Sequence, residues 1–167
     1  MRRASSARLL VAVVLSIAVA AVIVRAQAAP DLSGTWIIDR TRTEIAVLPR
    51  VGTASAAFSA GGTAERLVIR HTPTELSVTA GGAMPIVYKL DGTDTWYPSL
   101  EAKAALDGAR LVITWTRKNV YLGPGKGYTT YTGKDIYTRD SDVLTVDRST
   151  TTPQGVQAGK VVYTRMP

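Results

Sequence analysis

The chain carries one histidine, His71, at the end of the run "ERLVIRHT", two residues after Ile69. A lone imidazole serves as a general base or a metal ligand only with partners to orient it or complete its coordination. The sequence has no second histidine, no cysteine and no carboxylate beside His71, so His71 is assigned to the structure or the rim. Two acidic pairs, Asp91/Asp94 and Asp140/Asp142, have the composition of an acid–base couple or a calcium loop. Both lie in turn chemistry, "DGTD" and "RDSD", where an Asp carboxylate caps nearby amides. The stretch "YLGPGKGYTTYTG" resembles a phosphate loop at Gly125-Lys126 only. That loop needs a glycine about five residues before the Gly-Lys pair and a Ser or Thr directly after it, and Val120 and Gly127 stand there instead. There is also no G-x-S-x-G elbow and no H-E-x-x-H pair. No catalytic residue, metal ligand or cofactor is therefore assigned, and the chain is read as not an enzyme.

What remains is apolar and aromatic. Ile86, Tyr88 and Leu90 alternate along one run, Leu111, Ile113 and Trp115 along another, and Trp96 and Tyr97 stand near a strand end. Tyr88, Trp96, Leu111, Ile113 and Trp115 are the candidates for lining a cavity, since the mouth of a β-barrel is a usual ligand site. The competing reading is that they fill the interior, because an eight-stranded barrel is only just wide enough for side chains or one small ligand. Tyr128, Tyr131 and Tyr137, interleaved with threonines, are expected on the opposite face and the rim.

The elements that must position these residues follow from a period of two. "ERLVIRHT" sets Leu67 and Ile69 against Arg66, Val68 and Arg70, and "ELSVTAGG" sets Leu76 and Val78 against Ser77 and Thr79, the alternation of half-buried strands. Further runs span Pro85–Leu90, Thr95–Pro98, Glu101–Leu106, Arg110–Arg117, Tyr128–Thr132, Lys134–Arg139, Val143–Ser149 and Gln157–Arg165. "AGG", "DGT", "DG", "GPGKG", "RDSD" and "TPQG" between them are hairpin and loop chemistry. The fold class is all-β: a single antiparallel up-and-down barrel of about 8–10 strands, with a β-sandwich as the alternative, since closure removes exposed sheet edges. The exception is Thr41–Thr63, rich in small residues and holding Pro49 and a glycine pair. It reads as a long loop with one helical turn around Thr43–Leu48.

Ahead of these strands, Arg2, Arg3 and Arg8 precede an apolar run of about 16 residues, Leu9–Val24, and then small residues. That order is a secretory signal peptide over residues 1–28, cut after Ala26 or Ala28. The run is shorter than the roughly 20 residues that span a bilayer, and the alternative, an uncleaved anchor, is the only membrane contact considered. Residues 29–167 form one domain, placed outside the cytoplasm in the periplasm or the extracellular space. Four of the 20 basic residues lie in the leader, so 16 face 13 acidic ones and the charge falls from +7 to +3. A surplus that small provides no basic stripe, and nucleic acid is excluded as a partner. With no cysteine, the fold rests on packing and hydrogen bonds.

Gly34-Thr35-Trp36 on the first strand, after a short polar lead, resembles the first-strand motif of lipocalin-like barrels. "LVIRHTPTELSVT", "YKLDGT", "DGARLVITW" and the closing "GKVVYTR" are similar to the small exported lipocalin-like (calycin-type) domains of bacteria that have no known activity. The resemblance spans residues 29–167 on short motifs, and it departs from true lipocalins in lacking their later threonine-aspartate motif and their disulfide. It implies a barrel with Trp36 plugging one end and a basic residue of the last strand over the indole. Closure of a meander independently brings the start of the first strand to the end of the last, which puts Arg165 beside Trp36, with Gly34 giving room. The expected function is a non-catalytic, exported barrel of the cell envelope that takes a small apolar or amphipathic ligand. The alternative is a protein-interaction or structural module with a side-chain-filled interior.

Overall fold

Alternation of apolar and polar residues at every second position leaves each strand with one face to bury, and ten strands bury theirs together. The protein is described by a computed structural model that covers residues 30–44, 64–121, 124, 125, 127–153 and 155–167. The leader over 1–28, and most of the Thr41–Thr63 loop, lie outside the described residues. Of the helical turn expected at Thr43–Leu48 only Thr43 and Glu44 are described, and Glu44 forms an antiparallel bridge with Lys160.

The strands are β1 (Gly34–Ile38), β2 (Arg66–His71), β3 (Glu75–Ala80), β4 (Ile86–Lys89), β5 (Asp91–Tyr97), β6 (Leu100–Asp107), β7 (Arg110–Tyr121), β8 (Tyr128–Asp140), β9 (Val143–Thr152) and β10 (Gly155–Arg165). All belong to one antiparallel sheet in the order β4-β3-β2-β1-β10-β9-β8-β7-β6-β5. The sheet curls into a nearly closed barrel, zipped where β1 meets β10 in the register Trp36 to Arg165 and Ile38 to Tyr163. Its two edges, β4 and β5, are consecutive in sequence, and the Tyr97 hydroxyl ties them: it accepts from the Val87 amide at 2.8 Å and donates to the Pro85 carbonyl at 3.3 Å.

Two sequence readings of local structure are revised. "DGT" at Asp91–Thr93 is a hairpin signal in the sequence, yet it lies inside β5, where the pairing with β6 shifts between Asp91 and Asp94. The Asp91 carboxylate still caps the Thr93 amide at 2.9 Å, so the local chemistry of a turn serves a bulge. Gly133, which separates two expected runs, sits in the middle of the 13-residue β8.

Inward residues form one continuous core from Trp36 and Leu67 through Leu76, Tyr88, Leu111 and Tyr137 to Tyr163. The chain termini of the domain, the β2–β3 turn and the β6–β7 turn mark one end of the barrel. The β1–β2, β3–β4, β7–β8 and β9–β10 connections leave from the other, which we call the mouth.

Candidate functional site: the barrel interior

The end away from the mouth is sealed by Trp36, which is 0% exposed. Its Nε1 donates to the Leu32 carbonyl at 3.0 Å, which satisfies the one polar atom of a fully buried indole. The Arg165 and Arg139 guanidinium carbons lie 5.9 and 5.7 Å from the ring centroid, within cation–π range. Gly34 makes the approach feasible: its φ is +146°, and a Cβ there would stand 3.0 Å from Arg165 Nε. His71 pins the lead segment to β2. Its Nδ1 accepts from the Leu32 amide at 3.3 Å, and its own amide donates to Ser33 Oγ at 3.0 Å.

Above this seal the wall is a series of transverse rungs, each one inward residue per strand. A lower rung is apolar but for one phenol: Leu111, Tyr137, Val146 and Val161 on β7 to β10. The next toward the mouth reads Ala104, Ile113, Asp135, Arg148 and Gly159 on β6 to β10. The one above that reads Ala102, Trp115, Gly133, Thr150 and Gln157. The interior therefore turns from large and apolar at the seal to a mixture toward the mouth, where small and polar residues of β6 and β8 to β10 stand among Trp115, Leu100, Val120 and Tyr131.

The polar character centres on an ion pair. Arg148 Nε donates to Asp135 Oδ1 at 2.9 Å and its Nη2 to Oδ2 at 3.2 Å, with Asp135 0% exposed. Burial alone would push the Arg148 pKa down, and the Asp135 charge and hydrogen bond outweigh it and hold the guanidinium above its ordinary value. Tyr88, Tyr137 and Tyr163 gather around the pair, and burial raises all three phenols, reinforced by the Asp135 charge at Tyr88 and Tyr137 and partly offset by the Arg148 charge at Tyr163. Arg117, nearer the mouth, is half-buried, and burial lowers its pKa. Among the described residues, two buried polar atoms in the upper rung have no hydrogen-bond partner: Trp115 Nε1 and Gln157 Oε1.

Four of the cavity candidates named from the sequence, Tyr88, Leu111, Ile113 and Trp115, point into the barrel. Trp96 does not. It is 66% exposed, because Thr95 and Tyr97 on either side take the inward positions and a strand turns adjacent side chains to opposite faces. The tyrosines of β8 need the same correction. Tyr128 is exposed as expected, whereas Tyr131 and Tyr137 are buried: residues three apart in a strand face opposite ways, and residues six apart face the same way. The sequence reading misses Asp135, Arg148, Thr150, Gln157 and Arg139. A signal for the pair is present, an Asp and an Arg each in phase with the apolar residues of its own strand, Tyr137 and Val146.

A concavity of about 270 Å³ lies on the outer wall between Asp94, Lys103, Thr114, Thr116 and Thr132, with Gly133 in its floor. Lys103 and Asp94 pair across it at 3.7 Å. Among the described residues no group of three His, Cys, Asp or Glu side chains is placed to hold a metal ion, and no helix is long and apolar enough to cross a membrane.

No family model matches the chain, and no curated protein matches it. Among solved structures it is similar to a secretory abundant heat soluble (SAHS) protein from Ramazzottius varieornatus, with a TM-score of 0.53 and 16% identity over 84% of this chain and 98% of that one. That likeness is one of fold: the same antiparallel barrel architecture at low identity.

Proposed function

We propose that the chain is an exported, non-catalytic binding barrel of the cell envelope that holds a small amphipathic molecule in the mouth-side half of its interior. The observation that carries this reading is the uneven lining: a sealed apolar foot, then a buried Asp135–Arg148 pair and two rungs with glycine or alanine at inward positions. An interior that had only to be filled gains nothing from a buried ion pair, since well-packed hydrophobic residues of similar volume are often as stable or more so. Small residues facing a polar cluster instead suit an apolar tail and a polar head. The leader supports export, and the absence of a basic stripe argues against a nucleic-acid partner.

The test is native mass spectrometry of the purified chain, lacking residues 1–28, after incubation with a total lipid extract. One adduct per chain is expected, and retention of the bare mass with the barrel folded would remove the reading. The alternative, an interaction module, is favoured by Met84, Val87 and Trp96, all exposed around the β4–β5 seam. If that reading holds, Trp96→Ala abolishes partner crosslinking in the native host, and the lipid incubation returns the bare mass alone.

A further inference from the structure

We infer that the site takes a ligand with an uncharged polar head carrying both a hydrogen-bond acceptor and a donor, an amide or an alcohol rather than a carboxylate, and that Trp115 and Gln157 recognise it. The inference rests on the binding reading above and adds the chemistry of the head group. Trp115 is 8% exposed, and its Nε1 is a buried donor without an acceptor; Gln157 Oε1 is a buried acceptor without a donor. Buried polar groups are nearly always paired, and leaving one unmade costs its desolvation. Here a donor and an acceptor are orphaned together on one rung: Trp115 pairs with Gly133, Gly133 with Thr150 and Thr150 with Gln157. Along the wall the two residues are three strand spacings apart, roughly 14 Å. The Trp115 indole reaches over Gly133, which leaves Thr150 as the one inward side chain between the indole and Gln157.

The charge of the head follows from the rung below. Arg148 would be the natural anchor for an anion, but both its Nε and Nη2 donate to Asp135. A carboxylate would have to displace Asp135, leaving a buried charge without compensation, or lie beside it and be repelled. A neutral head avoids both costs and satisfies the two orphans: its carbonyl or hydroxyl oxygen accepts from Trp115 Nε1, and its N–H or O–H donates to Gln157 Oε1.

Dodecanamide, 1-dodecanol, dodecanoate and dodecane, titrated against the chain lacking residues 1–28, separate the cases. The readout is displacement of a fluorescent apolar probe. The amide and alcohol are expected to bind about tenfold tighter than dodecanoate, the ratio that one hydrogen bond to a buried partner is worth. Trp115→Phe and Gln157→Leu, each checked for an unchanged circular dichroism spectrum, are expected to erase that preference, read in each variant as the ratio of amide to dodecanoate affinity. Equal binding of all four, or tighter binding of dodecanoate through Arg117, overturns the inference and leaves the binding reading standing. So does a preference that survives both substitutions, which would mean that water alone bridges the two orphans. Failure of every compound to displace the probe from a folded barrel removes the binding reading itself.

Discussion

Trp115 and Gly133 face each other across β7 and β8, and the indole occupies the space where a side chain at Gly133 would begin. A Cβ there would lie 2.2 Å from Trp115 Cζ2 and 2.8 Å from the Ser149 carbonyl oxygen. An aromatic ring laid over a strand glycine protects its backbone, so this glycine serves packing.

The first expected outcome follows in sign as well as size. Glycine within a strand ordinarily costs about 0.5–1 kcal/mol relative to alanine, so Gly→Ala would usually stabilise. Gly133→Ala is expected to destabilise by about 1–3 kcal/mol, the cost of forcing extra volume into a filled site, because one neighbour is a rigid ring and the other is backbone. Urea unfolding of the variant measures it, and a gain in stability would contradict the placement of Trp115.

Removing one partner of the buried pair should be severe and removing both mild. Arg148→Met leaves the Asp135 carboxylate alone in the interior and is expected to cost about 3–5 kcal/mol. The double variant Asp135→Leu/Arg148→Met, with nothing left to compensate, is expected to recover most of that loss. Denaturant midpoints of the single and double variants decide it. A double variant no better than the single would show that the pair organises its neighbours beyond its own charge.

The barrel is legible in the sequence because its signals are local and repeated: alternation in "ERLVIRHT" and "ELSVTAGG" names the inward residues of β2 and β3, and closure of a meander sets Trp36 beside Arg165. The interior is harder to read because phase must be carried along each strand. Composition alone, tyrosines among threonines, puts Tyr131 and Tyr137 on the outside, whereas counting from Gly133 and Asp135 turns both inward. Residue type alone makes Trp96 a cavity residue, and its neighbours Thr95 and Tyr97 claim the inward positions. The Asp135–Arg148 pair lies 13 residues apart in sequence, so recognising it requires the β8–β9 register, which no short motif encodes.

Alkali should unfold this barrel, and the direction is fixed by its tyrosines. Burial raises the phenol pKa of Tyr88, Tyr137 and Tyr163 above the ordinary value, which is about 10 in an unfolded chain. A raised folded-state value means the stabilisation is fully present below about pH 10 and is lost as the pH rises above it, since the unfolded chain then releases protons that the folded one retains. Near-ultraviolet phenolate absorbance is expected to rise in two stages, the second coinciding with loss of the β-sheet circular dichroism signal. A single stage with the sheet intact would mean that the three phenols are open to solvent.

Acid acts on a different group. Hydrogen bonds from the Thr41 hydroxyl and the Arg42 guanidinium, against a small opposing effect of desolvation, hold the Asp39 carboxyl down at about 2. A lowered value stabilises the folded state above the unfolded carboxyl value near 4 and loses that contribution as the pH falls through about 2. Carboxyl carbon shifts followed by NMR should place the Asp39 midpoint at about 2, and Thr41→Val should move it upward.

Trp36 offers the sharpest test of how the barrel is sealed, because three separate contributions converge on it. The side chain is completely buried, its Nε1 donates to Leu32, and the Arg139 and Arg165 guanidinium groups lie within 6 Å of its ring. Trp36→Ala removes all three and is expected to cost about 3–5 kcal/mol, the range for emptying a large aromatic site in a core. Trp36→Phe keeps the ring and most of the volume while dropping the hydrogen bond, which leaves the Leu32 carbonyl without that donor, and should cost about 1–3 kcal/mol. Arg165→Met keeps the indole and its hydrogen bond and removes one cation, which is worth about 0.5–2 kcal/mol over an aromatic face. The order Ala, then Phe, then Met, from most to least destabilised in urea, is the result expected of a plug held chiefly by burial. If Arg165→Met matched Trp36→Ala, the end of the barrel would instead be held by the guanidinium, which also donates to the Ser33 carbonyl at 3.2 Å and so ties the last strand to the lead segment.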